Sequence, residues 1–306
     1  MKAFHSFRAD KFLPYLDMIG GRELIKPAVY IMALSAATIR KHHDDFTLIT
    51  DDAGKELAEE CQLPYSSILS VGKSFNSDPC VWIQSKLHTY QTIKEPFVHF
   101  DNDIFLWEPL PAGFLDNEVV GFHSETFLWY KYELYRKELL EAGISLPALR
   151  ETHWTNRMPI NMAIFGGQNW QAINQYAEFI DEYLQDRNYM RDATEQQKSA
   201  FERSIALVEQ MWVSYLIQDR MKVPITTLLT EENIQRGEGD LKLTHLHGFK
   251  QKAMKEGKTL ELLIKLDSKL KEVNPAVHSA VQKYVTAEVD ISAMIKEQSN
   301  GQNLSE

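Results

Sequence analysis

"VHFDNDIFLWEPL", residues 98–110, sets two aspartates one residue apart inside an otherwise apolar run. An unpaired charge in a low-dielectric interior costs several kcal/mol or more, so a buried strand does not keep two carboxylates without a reason. "PFVHFDNDIFL" (96–106) reads as a strand, and Asp101 and Asp103 fall where its run FVHF ends. In an extended chain residues i and i+2 point to the same side. Asp101 and Asp103 then aim their carboxylates at one point, while Asn102 faces the other way and satisfies local backbone groups. Hard divalent cations such as Mg²⁺ or Mn²⁺ take oxygen ligands of this kind, with phosphates and water in the remaining positions.

Upstream of this stretch, short β-like runs alternate with helical ones. "AFHSF" (3–7) reads as a strand, and "KPAVYIMALSAATIRKH" (26–42) as a helix with proline near its first turn, where the missing N–H costs little. "DFTLITDD" (45–52) is a second strand, "AGKELAEECQL" (53–63) a helix, and "YSSILSV" (65–71) a short third strand. "DPCVWIQSKLHTYQTIKE" (78–95) is the helix that feeds the aspartate strand. Such alternation predicts an α/β fold with a mostly parallel sheet and helices on both faces. Ligands of these sheets sit beyond the carboxyl ends of the strands, which is where Asp101 and Asp103 lie.

Downstream, "EVVGFHSE" (118–125) is another strand, followed by an aromatic-rich stretch and a polar helix. "MPINMAIFGG" (158–167) reads as a strand ending in a glycine turn. Trp170, Ile173, Ala177, Ile180 and Leu184 recur at helical spacing, and "SIALVEQMWVSYLIQD" (204–219) reads as a buried helix. "KLTHLHG" (242–248) is a final strand, before helices at 258–272 and 276–295. The expected organisation is one domain over 1–255, a helical extension over 256–298 and a disordered tail over 299–306.

With 44% apolar and 25% charged residues the composition is that of an ordinary soluble protein. The net charge of −10 argues against nucleic acid or an anionic membrane surface as a partner, because both require a basic footprint. No apolar run approaches the roughly 20 residues of a membrane span, and the first residues lack a signal-peptide core. Two cysteines, Cys61 and Cys80, build no disulfide framework and have no zinc-ligand spacing nearby. A cytoplasmic protein without an integral membrane segment is expected.

Three other uses of the aspartate pair stand beside metal binding. A solvated Asx-rich turn is the commonest use of a bare D-x-D, but here apolar residues flank the pair on both sides. An EF-hand loop fails, since Phe105 and Leu106 stand where an oxygen ligand and glycine are required. A haloacid-dehalogenase-type phosphatase needs its acidic metal pair after the nucleophile, whereas Asp51 and Asp52 come before it.

"WIQSKLHTYQTIKEPFVHFDNDIFLWEPL" (82–110) resembles the nucleotide-sugar glycosyltransferases of the GT-A fold, whose helix with a basic residue leads into a strand ending in D-x-D. The run is most similar to bacterial glycosyltransferase-like proteins that share "LITDDAG" and "FDNDIFL". Three further segments follow in the order of family 8 enzymes such as glycogenin and the lipopolysaccharide galactosyltransferases. "INMAIFGG" resembles their N-x-G, through Asn161, with Ala163 in place of glycine. "EQMWVSYLI" resembles their D-Q-D, through Glu209 and Gln210, with Met211 in third place. "HLHG" matches their H-x-x-G at His245 and Gly248, and the lysine that follows in the family is Gln251 here, between Lys250 and Lys252.

The resemblance implies a Rossmann-like GT-A domain with a mixed, mostly parallel sheet. It implies transfer of a sugar from a nucleoside-diphosphate donor, a UDP-sugar first among them, to a glycan or other small acceptor, with retention of configuration. The cofactor would be Mn²⁺ or Mg²⁺, held by Asp101, Asp103 and His245, with His247 as the substitute histidine. Lys86, Asn102, Gly248 and Lys250 would serve the donor, and His5, Ser6 and Asp51 its base and ribose. Gln210, Glu209 and Asn161 would face the sugar and the reacting carbon. Trp129, Tyr130 and Trp154 line an acceptor site or belong to the core. A non-catalytic nucleotide- or sugar-binding protein of the same fold is the alternative, with a D-x-D phosphatase behind it.

Overall fold

A computed structural model of the chain describes residues 1–9, 22–72, 83–125, 129–141, 158–185, 194, 197, 205, 207–230, 242–246, 253 and 256–286. The strands are β1 (Lys2–Ser6), β2 (Phe46–Thr50), β3 (Ser67–Ser70), β4 (Phe97–Phe100), β5 (Ile104–Leu106), β6 (Val119–Ser124), β7 (Ile160–Gly167), β8 (Ile225–Leu229) and β9 (Leu243–His245). The α-helices are α1 (Arg22–Arg40), α2 (Asp52–Glu60), α3 (Gln84–Thr92), α4 (Trp129–Glu141), α5 (Trp170–Gln185), α6 (Thr259–Val273) and α7 (Pro275–Thr286). Seven strands form a mixed sheet in the order β3-β2-β1-β4-β7-β6-β8, flanked by helices. The pairs β1–β4, β2–β3 and β6–β8 are parallel, and β7 runs antiparallel to both of its neighbours.

The chain divides into two compact units. The first holds Met1–Phe4, Asn76–Asp101 and Leu110–Leu241, and the second holds His5–Phe75, Asn102–Pro109 and Lys242–Glu306. In the first, β4 and β7 are buried along their whole length. Tyr90 of α3 packs on Phe97 and Phe165, and Phe165 meets Tyr176 of α5 edge-on. Gly166 is still within the strand: a Cβ there would lie 2.1 Å from the Phe97 carbonyl oxygen, so glycine lets β7 and β4 approach. In the second unit, Leu262, Leu266 and Leu270 line one face of α6 and share a core with Val29, Leu34, Val277 and Val281. Burying each of these leucines contributes about 1.5–3 kcal/mol.

The structure departs from the sequence reading in four places. The expected strand over 96–106 is two strands, because the chain turns at Asn102 and Asp103. Asn and Asp favour turns through their short side chains. Downstream of that turn, β5 pairs antiparallel with β9 instead of extending β4. The argument that i and i+2 share a side of an extended strand therefore does not apply to Asp101 and Asp103. Secondly, α1 is already formed at Arg22, which puts Pro27 inside the helix and not in its first turn. Thirdly, the helix expected over 204–219 is wound with π turns over Leu207–Met211 and Ser214–Arg220. Fourthly, β8 carries no period-2 pattern, all five of its residues being half-buried, and was not expected.

Candidate functional site

In the first unit the chemistry gathers on one lysine. Lys86 projects from α3, its side chain 10% exposed, and its ammonium lies 2.7 Å from Asp101 Oδ1 and 2.8 Å from Glu209 Oε1. Burial alone would lower the lysine pKa, but Asp101 and Glu209 outweigh it and hold the ammonium above the ordinary lysine range. One cation shared by two carboxylates leaves a net negative charge. Glu209 is nearly fully buried, and burial pushes its carboxyl up against the opposing pull of Lys86, with Asp101 and Glu125 adding to the rise.

Glu209 and Gln210 occupy the first π turn, a winding that re-spaces side chains and recurs at functional sites. The Tyr176 hydroxyl donates to the Glu209 carbonyl at 2.8 Å and pins that turn. Gln210 is buried beside it, and Met211, third in the motif, is a core residue. Asn161 on β7 donates to Glu125 Oε1 at 2.7 Å and accepts the Ala163 N–H at 3.0 Å. The Ala163 carbonyl in turn accepts the Asp101 N–H at 2.8 Å, so β7 fixes the backbone of the first aspartate.

In the second unit Asp103 and His245 come together. Ile104 is the register partner of His245, and the Leu246 N–H donates to the Asp103 carbonyl at 3.2 Å. This brings His245 Nε2 to 3.6 Å from Asp103 Oδ1. Asn102 donates its amide to the Ser6 carbonyl at 2.9 Å. His5 is fully buried, with Nδ1 on the Tyr65 hydroxyl at 2.8 Å and Nε2 on Ser35 Oγ at 3.3 Å. Its pKa falls from the ordinary 6.5 to about 3, because burial outweighs the attraction of Asp103. Asp51 caps α2, accepting the N–H groups of Gly54 at 2.7 Å and Ala9 at 3.2 Å. Both ring nitrogens of His5 and the Asp51 carboxylate thus serve the protein frame.

At the D-N-D turn the second unit thus presents a carboxylate and an imidazole side by side, Asp103 and His245. Carboxylate oxygens suit Mg²⁺ and Mn²⁺, and an imidazole nitrogen suits transition-metal ions. The donors present fit a divalent cation. The expected roles of His247, Gly248 and Lys250 lie outside the described residues, as do Trp154 and the side chains of Trp129 and Tyr130. Sequence reasoning missed Glu125, Tyr176 and Ser35. Glu125 carried a signal, since it is a carboxylate closing a strand just as Asp101 does; the tyrosine and the serine sit in apolar helices and carried none.

The sequence belongs to the Family of unknown function (DUF6734), whose description matches residues 1–283. No curated protein matches it. Among solved structures, a crystal structure of an active-site mutant of LgtC is 12% identical, with a TM-score of 0.34 over 66% of this chain and 70% of that one. The galactosyltransferase LgtC in complex with donor and acceptor sugar analogues is likewise 12% identical, with a TM-score of 0.36 over 67% and 70%. Likeness of this degree defines neither fold nor activity. No helix among the described residues is long and apolar enough to cross a membrane.

Proposed function

We propose that the protein is a metal-dependent glycosyltransferase that takes its sugar from a nucleoside-diphosphate donor, a UDP-sugar first among them. The observation that carries this reading is the approach of His245 Nε2 to Asp103 Oδ1, at 3.6 Å, in the D-N-D turn that follows β4. The order of motifs along the sequence supports it. Asp101, Asp103 and His245 would hold Mn²⁺ or Mg²⁺, which when bound neutralises the charge that develops on the leaving diphosphate. By the resemblance, Gly248 and Lys250 would serve that diphosphate.

Lys86 pairs with both Asp101 and Glu209, and that compensation lets two carboxylates persist in a buried place. Glu209 and Gln210, presented by a pinned π turn, would face the reacting sugar carbon, with Asn161 and its partner Glu125 orienting the sugar hydroxyls. The family 8 motifs favour retention of configuration and a glycan or other small acceptor. A non-catalytic nucleotide-binding protein is the second reading, and it draws on one observation: Ala163 and Met211, which replace polar or glycine motif positions, are fully buried core residues.

A thermal-shift screen of nucleoside diphosphates and nucleotide sugars, with and without Mn²⁺, tests the proposal. A ligand bound only by the folded state stabilises it by RT ln(1 + [L]/Kd), about 2.7 kcal/mol at a hundredfold excess over Kd. The expected result is a shift with UDP or another nucleoside diphosphate that requires the metal, and slow donor hydrolysis in the same mixture. Binding without hydrolysis favours the second reading, and no metal-dependent shift with any nucleotide refutes both.

A further inference from the structure

We infer that Ser35, His5 and Tyr65 form a one-way hydrogen-bonded relay that positions Asp103 as a metal ligand. The inference rests on the metal site proposed above. Ser35 Oγ lies 2.6 Å from the carbonyl oxygen of Ile104, the residue directly after Asp103. A carbonyl only accepts, so the serine proton points at Ile104. Towards His5 Nε2, 3.3 Å away, the same hydroxyl must then accept, which places the imidazole proton on Nε2. His5 Nδ1 is left as an acceptor, and the Tyr65 hydroxyl at 2.8 Å donates to it.

The relay thus has one direction, from Tyr65 through His5 and Ser35 to the Ile104 carbonyl. Its members are held against rotation. Ser35 and His5 are fully buried, and the His5 ring meets Phe46 and Tyr65 edge-on at centroid distances of 4.8 and 5.7 Å. On the other side of Asp103, Asn102 is tied to the Ser6 carbonyl, and the Asp103 carbonyl receives the Leu246 N–H. The backbone carrying the second aspartate is therefore fixed before, at and after the ligand. Three ligands need a set geometry, and groups that orient a ligand tune affinity by about 10–100-fold in known metal sites.

Thr38, one turn further along α1, supplies the control. Its Oγ1 accepts the Leu106 N–H at 3.1 Å, an equally buried hydrogen bond to the same strand but farther from Asp103. The experiment is a titration with Mn²⁺ alone, followed by electron paramagnetic resonance, on the full chain and on Ser35→Ala, Tyr65→Phe and Thr38→Ala, with melting temperatures measured in parallel. Ser35→Ala is expected to weaken Mn²⁺ binding about tenfold, and Tyr65→Phe in the same direction by less, whereas Thr38→Ala lowers the melting temperature without changing Mn²⁺ affinity. Tyr65→Phe keeps the inference testable if Ser35→Ala fails to fold. Equal Mn²⁺ affinity in wild type, Ser35→Ala and Tyr65→Phe overturns the relay and leaves the metal site standing, and so does an equal loss in Thr38→Ala. No Mn²⁺ binding by the wild type overturns the metal site and the relay together.

Discussion

Asp101 and Asp103 differ in sequence position by one intervening residue, yet each unit treats its aspartate differently. Asp101 meets a cation of the protein's own: Lys86 sits 2.7 Å away and also serves Glu209. Asp103 has an imidazole at 3.6 Å, and backbone and hydroxyl groups fix the chain around it. The first arrangement is charge compensation, which lets carboxylates persist in a buried place. The second is geometric, holding a carboxylate still with neutral groups. The proposed metal site would need both, because an uncompensated buried carboxylate destabilises the fold and one that is not fixed binds poorly.

The most severe way to break the first arrangement is Lys86→Met, which leaves Asp101 and the buried Glu209 without their cation. Removing one partner of a buried pair costs about 3–5 kcal/mol, and chemical denaturation should show a loss of that size. A change below about 1 kcal/mol would mean that Glu209 simply takes up a proton. Lys86→Met with Glu209→Gln should recover part of the loss.

The second arrangement is sensitive to acid through His5. Its folded pKa of about 3 lies below the unfolded 6.5, so below pH 6.5 the unfolded chain binds a proton that the native state refuses. Stability from this group is complete above pH 6.5 and falls with acidification by about 1.4 kcal/mol per pH unit until pH 3. His43, lowered to about 4 mainly by burial, adds a slope of the same sign, while Glu209, raised, acts in the opposite sense. The test is therefore the difference between proteins: His5→Gln should flatten the stability profile between pH 4.5 and 6.5 relative to wild type. Parallel profiles would contradict the buried neutral imidazole.

A smaller effect comes from Asp51, which belongs to the frame of the second unit. Asp51→Ala removes the cap of α2 and should cost about 1 kcal/mol in urea denaturation. If nucleotide binding also falls by more than that loss of stability explains, the carboxylate touches the donor as well.

Much of this could be read from the chain. Strand–helix alternation points to the α/β class, and the apolar flanks of the D-N-D run single it out as a candidate site. What could not be read depends on contacts far apart in sequence. The break after Phe100 follows from β5 finding β9, about 140 residues downstream, and no local pattern encodes that partner. The pairing of Lys86 with Glu209 spans a similar separation. Ser35 is one small polar residue in an apolar helix, and only the position of the Ile104 carbonyl gives it a task.

The claim at the centre of this account is that the D-N-D turn binds a divalent cation on which nucleotide binding depends. Calorimetric titration of UDP in the presence of Mn²⁺ tests it most directly, using wild type, Asp101→Asn and Asp103→Asn, each repeated with a chelator. The account predicts binding to the wild type that vanishes with the chelator, and weakened binding in Asp103→Asn at an unchanged or higher melting temperature, since a repelling charge has been removed. Wild-type affinity and metal dependence in both asparagine variants would contradict it.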